Sequence, residues 1–249
     1  MKSMHKTQSR ELLAEALGSM GAAPHADAPQ AADRLLTFSR RVLDANQRFN
    51  LTACSSLEEF LSRHVLDCAA GFALLRRRGL ACGAALDAGS GAGLPGVVWA
   101  ILGGLDRVLC CESTGKKAEF IRATARELRL ASLEVESRRA EDLARDPAFR
   151  DRFDVAAARA LAPLPVLIEL TAPFVRPGGH SLYFKGRAVE DELRCAARAM
   201  AELGMALTGR EPYSIPGHEG RGELLLFQKT APTPERYPRR AGIPGKRPL

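Results

Sequence analysis

The chain has 249 residues, of which 46% are hydrophobic, 26% charged and 6% aromatic, a composition typical of a globular protein in water. A chain of this length buries roughly 70–75% of the surface that it exposes when unfolded, which is enough for one full-sized core. Its formal net charge is +7. Residues 229–249 contain six basic side chains and one glutamate, so most of the net positive charge lies in this carboxyl-terminal segment.

The apolar runs and the cysteines exclude several classes of protein. The amino terminus lacks the apolar core of a secretory signal, and no run reaches the roughly 18–20 uncharged apolar residues that span a bilayer. The six cysteines include no Cys-x-x-Cys pair and none at zinc-finger spacing from a histidine, which argues against a disulfide scaffold or a structural zinc site. We therefore expect reduced thiols, a cytoplasmic protein and no metal ion.

The first 80 residues have the pattern of a helical cap. An apolar stripe between Leu12 and Met20 predicts a first helix, and a second is expected from Pro29, a residue tolerated in a first turn. Ser56 and Glu59 are spaced as a capping box, in which the hydroxyl accepts from the Glu59 amide while the Glu59 carboxylate reaches back. This box predicts the start of a third helix.

From about residue 84 to 230, short apolar runs alternate with amphipathic segments, which is typical of a mainly parallel sheet with crossover helices. The predicted strands are Ala84–Ala88, Arg107–Glu112, Leu133–Ser137, Phe153–Ala157, Ser181–Lys185, Met205–Tyr213 and Glu223–Lys229. One predicted helix begins at Pro95, and three more span Gly115–Leu128, Leu164–Phe174 and Val189–Leu203. Since no helix separates the last two strands, we expect them to form an antiparallel hairpin.

These patterns divide the chain into a helical cap (1–80), an α/β domain (81–230) and a basic tail (231–249). The tail contains five of the fifteen prolines. We expect it to form no regular element and to need a surface on which to lie.

A glycine-rich loop follows the first predicted strand, with the sequence Asp87-Ala88-Gly89-Ser90-Gly91-Ala92-Gly93. Glycines at such a turn allow a ligand to approach the backbone. The loop is compatible with two cofactors, and a purely structural glycine turn is the alternative to both. One is a dinucleotide, because the stretch Gly91–Gly96 satisfies the dinucleotide pattern and Glu112 follows 21 residues after Gly91, where a ribose-binding acid is expected.

Three features favour S-adenosylmethionine instead. Asp87 would attract a cofactor with an ammonium and a sulfonium group, and would repel a pyrophosphate. Pro95 removes one amide from a helix start that would otherwise bind phosphate. A closing antiparallel hairpin is typical of methyltransferase sheets. We therefore predict the α/β class I S-adenosylmethionine-dependent methyltransferase fold, a Rossmann-like doubly wound sheet with a helical cap.

Further acids lie where this cofactor would need them. Glu112 ends the second strand, where its carboxylate would accept hydrogen bonds from two ribose hydroxyls, a solvated acid being the alternative. Glu141 and Asp142 follow the third strand, at the level of an adenine edge, with helix capping as the alternative.

Several other motifs accompany the loop. They are Asn50-Leu51-Thr52-Ala53, Arg63-His64-Val65-Leu66-Asp67, Leu94-Pro95-Gly96, Ser113-Thr114-Gly115-Lys116-Lys117, Arg159-Ala160, Lys185-Gly186 and the stretch from Tyr237 to Leu249. Together they resemble the bacterial RsmG family, also called glucose-inhibited division protein B, over nearly the whole chain. The resemblance implies methylation of N7 of guanine 527 in 16S ribosomal RNA of the small subunit, with S-adenosylmethionine as donor.

The resemblance also implies site residues. Gly89 and Leu94 would contact the cofactor from the loop, Ala140 and Glu141 would flank the adenine, and Arg159 would line the pocket. The predicted cofactor-binding residues are therefore Asp87, Gly89, Gly91, Leu94, Glu112, Ala140, Glu141 and Arg159. The sequence departs from the commonest family pattern at Cys68, Glu112 and Ala158, where serine, aspartate and serine are usual.

Guanine N7 has a lone pair and no proton to lose, so we predict no catalytic acid, base or nucleophile, only alignment of donor and acceptor. The predicted RNA-binding residues are Asn50, Arg63, His64, Lys116, Lys185, Arg239 and Arg240. The alternatives are a packing role for the histidine, an ion pair for Arg159, solvated charges for the lysines and a solubility tail. A nicotinamide-dependent oxidoreductase and a non-catalytic ribosome-binding protein remain alternative functions, and a monomer is expected.

Overall fold

A computed structural model describes residues 2–186, 189–215 and 221–249. Side chains are described for the same residues except 2–6 and 221. The strands are β1 (Ala84–Ala88), β2 (Arg107–Cys111), β3 (Leu133–Glu136), β4 (Phe153–Arg159), β5 (Val175–Lys185), β6 (Met205–Ser214) and β7 (Arg221–Lys229). They form one sheet in the order β3-β2-β1-β4-β5-β7-β6. The first five strands are parallel, and β7 runs antiparallel to both β5 and β6.

The helices alternate with the strands after an all-helical start. They are α1 (Lys2–Ser19), α2 (Ala28–Asn46), α3 (Leu57–Phe60), α4 (Leu66–Arg77), α5 (Gly96–Leu102), α6 (Gly115–Glu127), α7 (Ala140–Leu143), α8 (Leu164–Thr171), α9 (Val189–Leu203) and α10 (Ile243–Lys246), with a π-helical turn (Leu61–Val65) between α3 and α4. None of the described helices combines the length and hydropathy that crossing a bilayer requires.

The predicted doubly wound sheet with a closing hairpin is confirmed. Each predicted strand is found, but β5 begins at Val175, six residues before the predicted start at Ser181. The early part of β5 contains Pro177, Gly178 and Gly179, which are not typical of strands, and the ladder between β4 and β5 is irregular after the Phe153–Val175 pair. This irregularity accommodates residues that the sequence pattern does not assign to a strand.

The sheet has a hydrophobic cluster on each face, because successive strand residues point to opposite sides. Val155 and Ala157 of β4 belong to the first cluster, with Phe72 and Trp99, whereas Ala156 and Ala158 belong to the second. The first cluster also contains the buried hydrophobic residues of α1 and α2. The cap therefore shares a core with the sheet, and a boundary at residue 80 remains a prediction.

The capping box at α3 is partly confirmed. Ser56 Oγ accepts a hydrogen bond from the Glu59 amide at 3.1 Å. The Glu59 carboxylate accepts from the Ser55 amide at 3.2 Å rather than from Ser56, and it also pairs with Arg63. The apolar stripe of α1 is narrower than predicted, since Leu12 is 60% exposed.

The tail lies on the protein itself. Tyr237 is buried, and Arg150 donates hydrogen bonds to the carbonyls of Thr233 at 2.8 Å and Tyr237 at 2.9 Å. The tail contains the short helix α10, so the prediction of no regular element is wrong for Ile243–Lys246. Proline is compatible with the first turn of this helix, and the folded domain supplies the partners that an isolated proline-rich segment lacks.

Candidate functional site

A cavity of about 970 Å³ opens at the carboxyl ends of the parallel strands, where ligands bind in doubly wound sheets. Its volume lies near the upper end of the roughly 300–1,000 Å³ range of ligand pockets, which leaves room for a cofactor and part of a second molecule. The sheet side of the lining includes Gly89, Ser90, Gly91, Leu94, Glu112, Ala140, Glu141, Arg159 and Leu161, and the cap side includes Leu51, Thr52, Cys54, Arg63, His64 and Asp67.

Close packing fixes the shape of the glycine-rich loop. The amides of Gly89 and Ser90 both donate to the Cys111 carbonyl, at 2.8 and 3.2 Å, which ties the loop to the end of β2. Gly89 has a φ of +72°, and a Cβ there would lie 2.6 Å from Leu161 Cδ1. A side chain at position 89 would therefore collide with Leu161, which also lines the cavity, unless Leu161 moves.

The structure places Asp87 outside the lining of the cavity. Its carboxylate is fully buried behind the loop, where Oδ2 accepts a hydrogen bond from the Gly96 amide at 2.9 Å, and it does not line the cavity. Burial raises the pKa of Asp87 to about 7, although the Gly96 amide acts in the opposite direction. A strand-end residue can face either side of the sheet, and this one holds the start of α5 rather than facing a ligand.

Glu112 links two loops at the cavity wall. Its Oε2 accepts from the Gly91 amide at 2.9 Å and its Oε1 from the Thr114 amide at 2.7 Å. These bonds fix the carboxylate while leaving a second lone pair on each oxygen. Glu112 is 7% exposed and faces the cavity, so it is not the solvated acid of the alternative interpretation.

Glu141 connects the cavity to the tail. It is 8% exposed, and its Oε1 accepts a hydrogen bond from the Gly242 amide at 2.9 Å. Ala140 lines the cavity beside it. The tail therefore supports the wall at which an adenine is expected.

A polar network joins the cap to the ends of β4 and β6. Arg159 pairs with Asp67, and its Nη2 also donates to the Arg63 carbonyl at 2.8 Å. The Tyr213 hydroxyl donates to the other oxygen of Asp67, and burial together with the Asp67 charge raises the pKa of Tyr213. Arg159 thus takes part in an ion pair and also lines the cavity.

His64 combines packing and polar contacts. Its ring lies edge-on to Phe60, with centroids 5.1 Å apart, and its Nδ1 lies 2.8 Å from Arg159 Nη2. Burial and the Arg159 charge lower the pKa of His64 to about 4. The ring is therefore neutral near pH 7.

The predicted site residues separate into two groups. Apart from Asp87, each predicted cofactor residue lines the cavity, as do Arg63, His64 and Lys185. Asn50, Lys116 and Arg240 are exposed outside it, whereas Arg239 pairs with the buried carboxylate of Glu169. Lys185 is also engaged, since its Nζ lies 2.5 Å from a Glu192 oxygen. Contact of these residues with cofactor or RNA stays a prediction.

Sequence reasoning missed residues that shape the site from behind. Asn46 Oδ1 accepts from the amides of Leu51 and Thr52 at 2.7 and 3.0 Å, and its Nδ2 donates to the Thr52 carbonyl at 2.9 Å. Asp67 holds Arg159, and Tyr213 in turn donates to Asp67; the sequence did not predict either role. The Asn46 contacts span only five and six positions, whereas the contacts of Asp67 with Arg159 and Tyr213 join distant parts of the chain, so no local pattern signals them.

Comparison with known proteins assigns the family. Residues 31–213 match the family model described as rRNA small subunit methyltransferase G. The chain belongs to this family. A ribosomal RNA small subunit methyltransferase G from Carboxydothermus hydrogenoformans is 40% identical over 212 residues, covering 85% of this chain and 89% of that protein. The protein of the same name from Symbiobacterium thermophilum is 40% identical and covers 99% of this chain and 100% of its own.

The fold agrees with this family. An experimental structure described as a putative RNA methyltransferase, from Pyrococcus horikoshii, aligns with a TM-score of 0.53 and 14% identity over 78% of this chain and 100% of that chain. At this identity the likeness shows the fold, which is the class I methyltransferase fold. The predicted resemblance to RsmG proteins and the predicted cofactor, S-adenosylmethionine, are confirmed at the level of the family. The family also favours this cofactor over a dinucleotide.

Proposed function

We propose that this member of the family transfers a methyl group from S-adenosylmethionine to N7 of one guanine, position 527, in the 16S RNA of the small ribosomal subunit. A methyl donor of this type supplies an electrophilic carbon bound to a sulfonium, and the acceptor needs an available lone pair. Guanine N7 provides one without losing a proton. The protein's task is then to align the two reactants and to exclude competing groups.

The observation that supports N7 most strongly is that His64 and each carboxylate among the described cavity residues already accept hydrogen bonds from the protein itself. Asp67 is bonded to Arg159 and Tyr213. The carboxylates of Glu112 and Glu141 accept from backbone amides, and Glu192 accepts from the Leu164 amide and from Lys185. His64 already accepts from Arg159. Transfer to an exocyclic amine or to a carbon would need a group to take up a proton.

The residues on the sheet side of the cavity fit S-adenosylmethionine. The turn at Gly89 gives a ligand access to the backbone, and the Glu112 carboxylate is held where it would accept from the two ribose hydroxyls. Ala140 and Glu141 would flank the adenine. Arg159, fixed by Asp67, would face the carboxylate of the cofactor or the RNA with its Nη1, which donates no hydrogen bond to the described residues.

A direct assay tests this proposal. Purified protein is incubated with labelled S-adenosylmethionine and with small subunits from a strain that lacks the modification. We expect label at a single guanine, in a form that is cleaved by the aniline chemistry specific for N7-methylated purines. Label in ribose or on an exocyclic amine would contradict the N7 assignment, and subunits that already contain the modification serve as the control.

The exposed charges of the tail give a separate prediction on RNA affinity. Arg240 and Lys246 are exposed and have no ion-pair partner among the described residues. Removing one protein–phosphate interaction lowers the slope of log affinity against log salt by about 0.7–0.9. Arg240→Gln with Lys246→Gln should therefore weaken subunit binding and flatten that slope by about 1.5 in a filter-binding titration. The matched control is Arg194→Gln, an exposed arginine of α9 outside the cavity; an equal change in the control would contradict the tail's role.

A further inference from the structure

The loop before α3 places a hydroxyl on the cap side of the cavity. Thr52 is half-buried and lines the cavity. Its Oγ1 accepts a hydrogen bond from the Cys54 amide at 3.1 Å and lies 3.1 Å from His64 Nε2. The direction of this second hydrogen bond decides whether the hydroxyl acts as a donor or as an acceptor toward a ligand.

The contacts of His64 fix that direction. Arg159 Nη2 lies 2.8 Å from His64 Nδ1, and a guanidinium donates hydrogen bonds but does not accept them. Nδ1 is therefore the acceptor nitrogen. The ring is neutral, so its single N–H proton is on Nε2, which donates to Thr52 Oγ1 and is within 3.4 Å of Cys54 Sγ.

Thr52 Oγ1 consequently accepts two hydrogen bonds, while its own proton has no partner within the described chain. A hydroxyl with two acceptor positions filled can bind a ligand only as a donor. Its position is also rigid, because Asn46 makes three hydrogen bonds to the backbone of Leu51 and Thr52. The cavity lining thus presents an oriented hydroxyl donor at Thr52.

The edge of guanine that includes N7 has one other acceptor, O6, whereas adenine has an amino donor at the equivalent position. N7 must keep its lone pair free for methyl transfer, which leaves O6 to accept from the protein. We propose that the Thr52 hydroxyl donates a hydrogen bond to O6 of the target guanine, which positions N7 and rejects adenine. This inference rests on the proposed function, since it takes guanine N7 as the methyl acceptor.

The test compares two bases and three proteins. Small subunits are reconstituted with 16S RNA ligated from pieces, with either guanine or 2-aminopurine at the target position. 2-Aminopurine keeps N7 and the 2-amino group but lacks O6. The kcat/KM of methyl transfer is measured for the wild type, Thr52→Val and Thr52→Ser. The intrinsic reactivity of N7 differs between the bases, but this difference is common to all three proteins. It therefore cancels when the ratio of kcat/KM on the two bases is compared between proteins.

We expect Thr52→Val to lose about tenfold in kcat/KM on guanine and to change little on 2-aminopurine, while Thr52→Ser retains the wild-type preference. Equal losses on the two bases would overturn the proposal, because they indicate a structural role. Calorimetric affinity for S-adenosylmethionine monitors the fold, and Thr52→Ala gives the same comparison if Thr52→Val does not fold. A wild type that leaves guanine unmethylated would instead refute the proposed function.

Discussion

Arg239→Leu should lower the free energy of unfolding by about 3–5 kcal/mol, which is typical when one partner of a buried ion pair is removed. Glu169 is fully buried in α8, and the Arg239 side chain contacts both of its oxygens at 2.5–3.1 Å. The Arg239 amide adds a hydrogen bond to Oε1 at 2.9 Å. Without the guanidinium, a buried carboxylate would keep only this backbone donor. Urea denaturation followed by circular dichroism measures the change.

The neighbouring residue provides a matched control. Arg240 is exposed and unpaired among the described residues, so Arg240→Leu should change the free energy of unfolding by less than about 0.5 kcal/mol. Adding Glu169→Leu to Arg239→Leu should recover part of the loss, because apolar replacement of both partners is often close to neutral. Equal stability of the two single variants would contradict the anchoring role of Arg239.

This anchoring changes the interpretation of the tail. Of the six basic residues at positions 229–249, Lys229, the last residue of β7, is buried against Asp151, while Arg236 pairs with Glu202 and Arg239 pairs with Glu169. The excess charge counted from the sequence therefore overstates what is accessible to RNA. It also follows that deletion of Tyr237 to Leu249 would disturb the cavity wall through the Glu141–Gly242 hydrogen bond, so single charge substitutions give the clearer test.

The strands, the glycine-rich loop and the closing hairpin could be predicted because each follows from a local pattern of buried residues and turns. The Asp67–Tyr213 hydrogen bond joins residues 146 positions apart, and no local pattern encodes it. The side of the sheet that Asp87 faces depends in the same way on packing against α5. Glu169 did give a signal, since it is the one charged residue in the apolar run Leu164–Thr171; an acid in such a run is rarely buried without a partner. The sequence did not indicate that the tail would supply it.

Gly89→Asp should reduce methyl transfer at least about hundredfold, as expected when a cofactor is displaced from its reactive position. A Cβ at this position would lie 2.6 Å from Leu161 Cδ1, and the substitution adds a carboxylate at a residue that lines the cavity. Aspartate tolerates a positive φ better than most residues, so lost space and added charge, rather than backbone strain, account for the effect. We expect calorimetry to detect no S-adenosylmethionine binding, while association with small subunits is retained.

The matched control is Gly79→Asp. Gly79 has a φ of +70°, close to the +72° of Gly89, and a Cβ at this position would meet no atom within 4 Å; the residue is exposed after α4. Gly79→Asp adds the same charge at the same backbone conformation, and we expect it to keep the rate of methyl transfer within about twofold of the wild-type rate. Cofactor binding by Gly89→Asp would contradict the assigned pocket. Growth of a deletion strain rescued by Gly89→Asp without methylation would instead favour the non-catalytic ribosome-binding function, because only that function is independent of the space at Gly89.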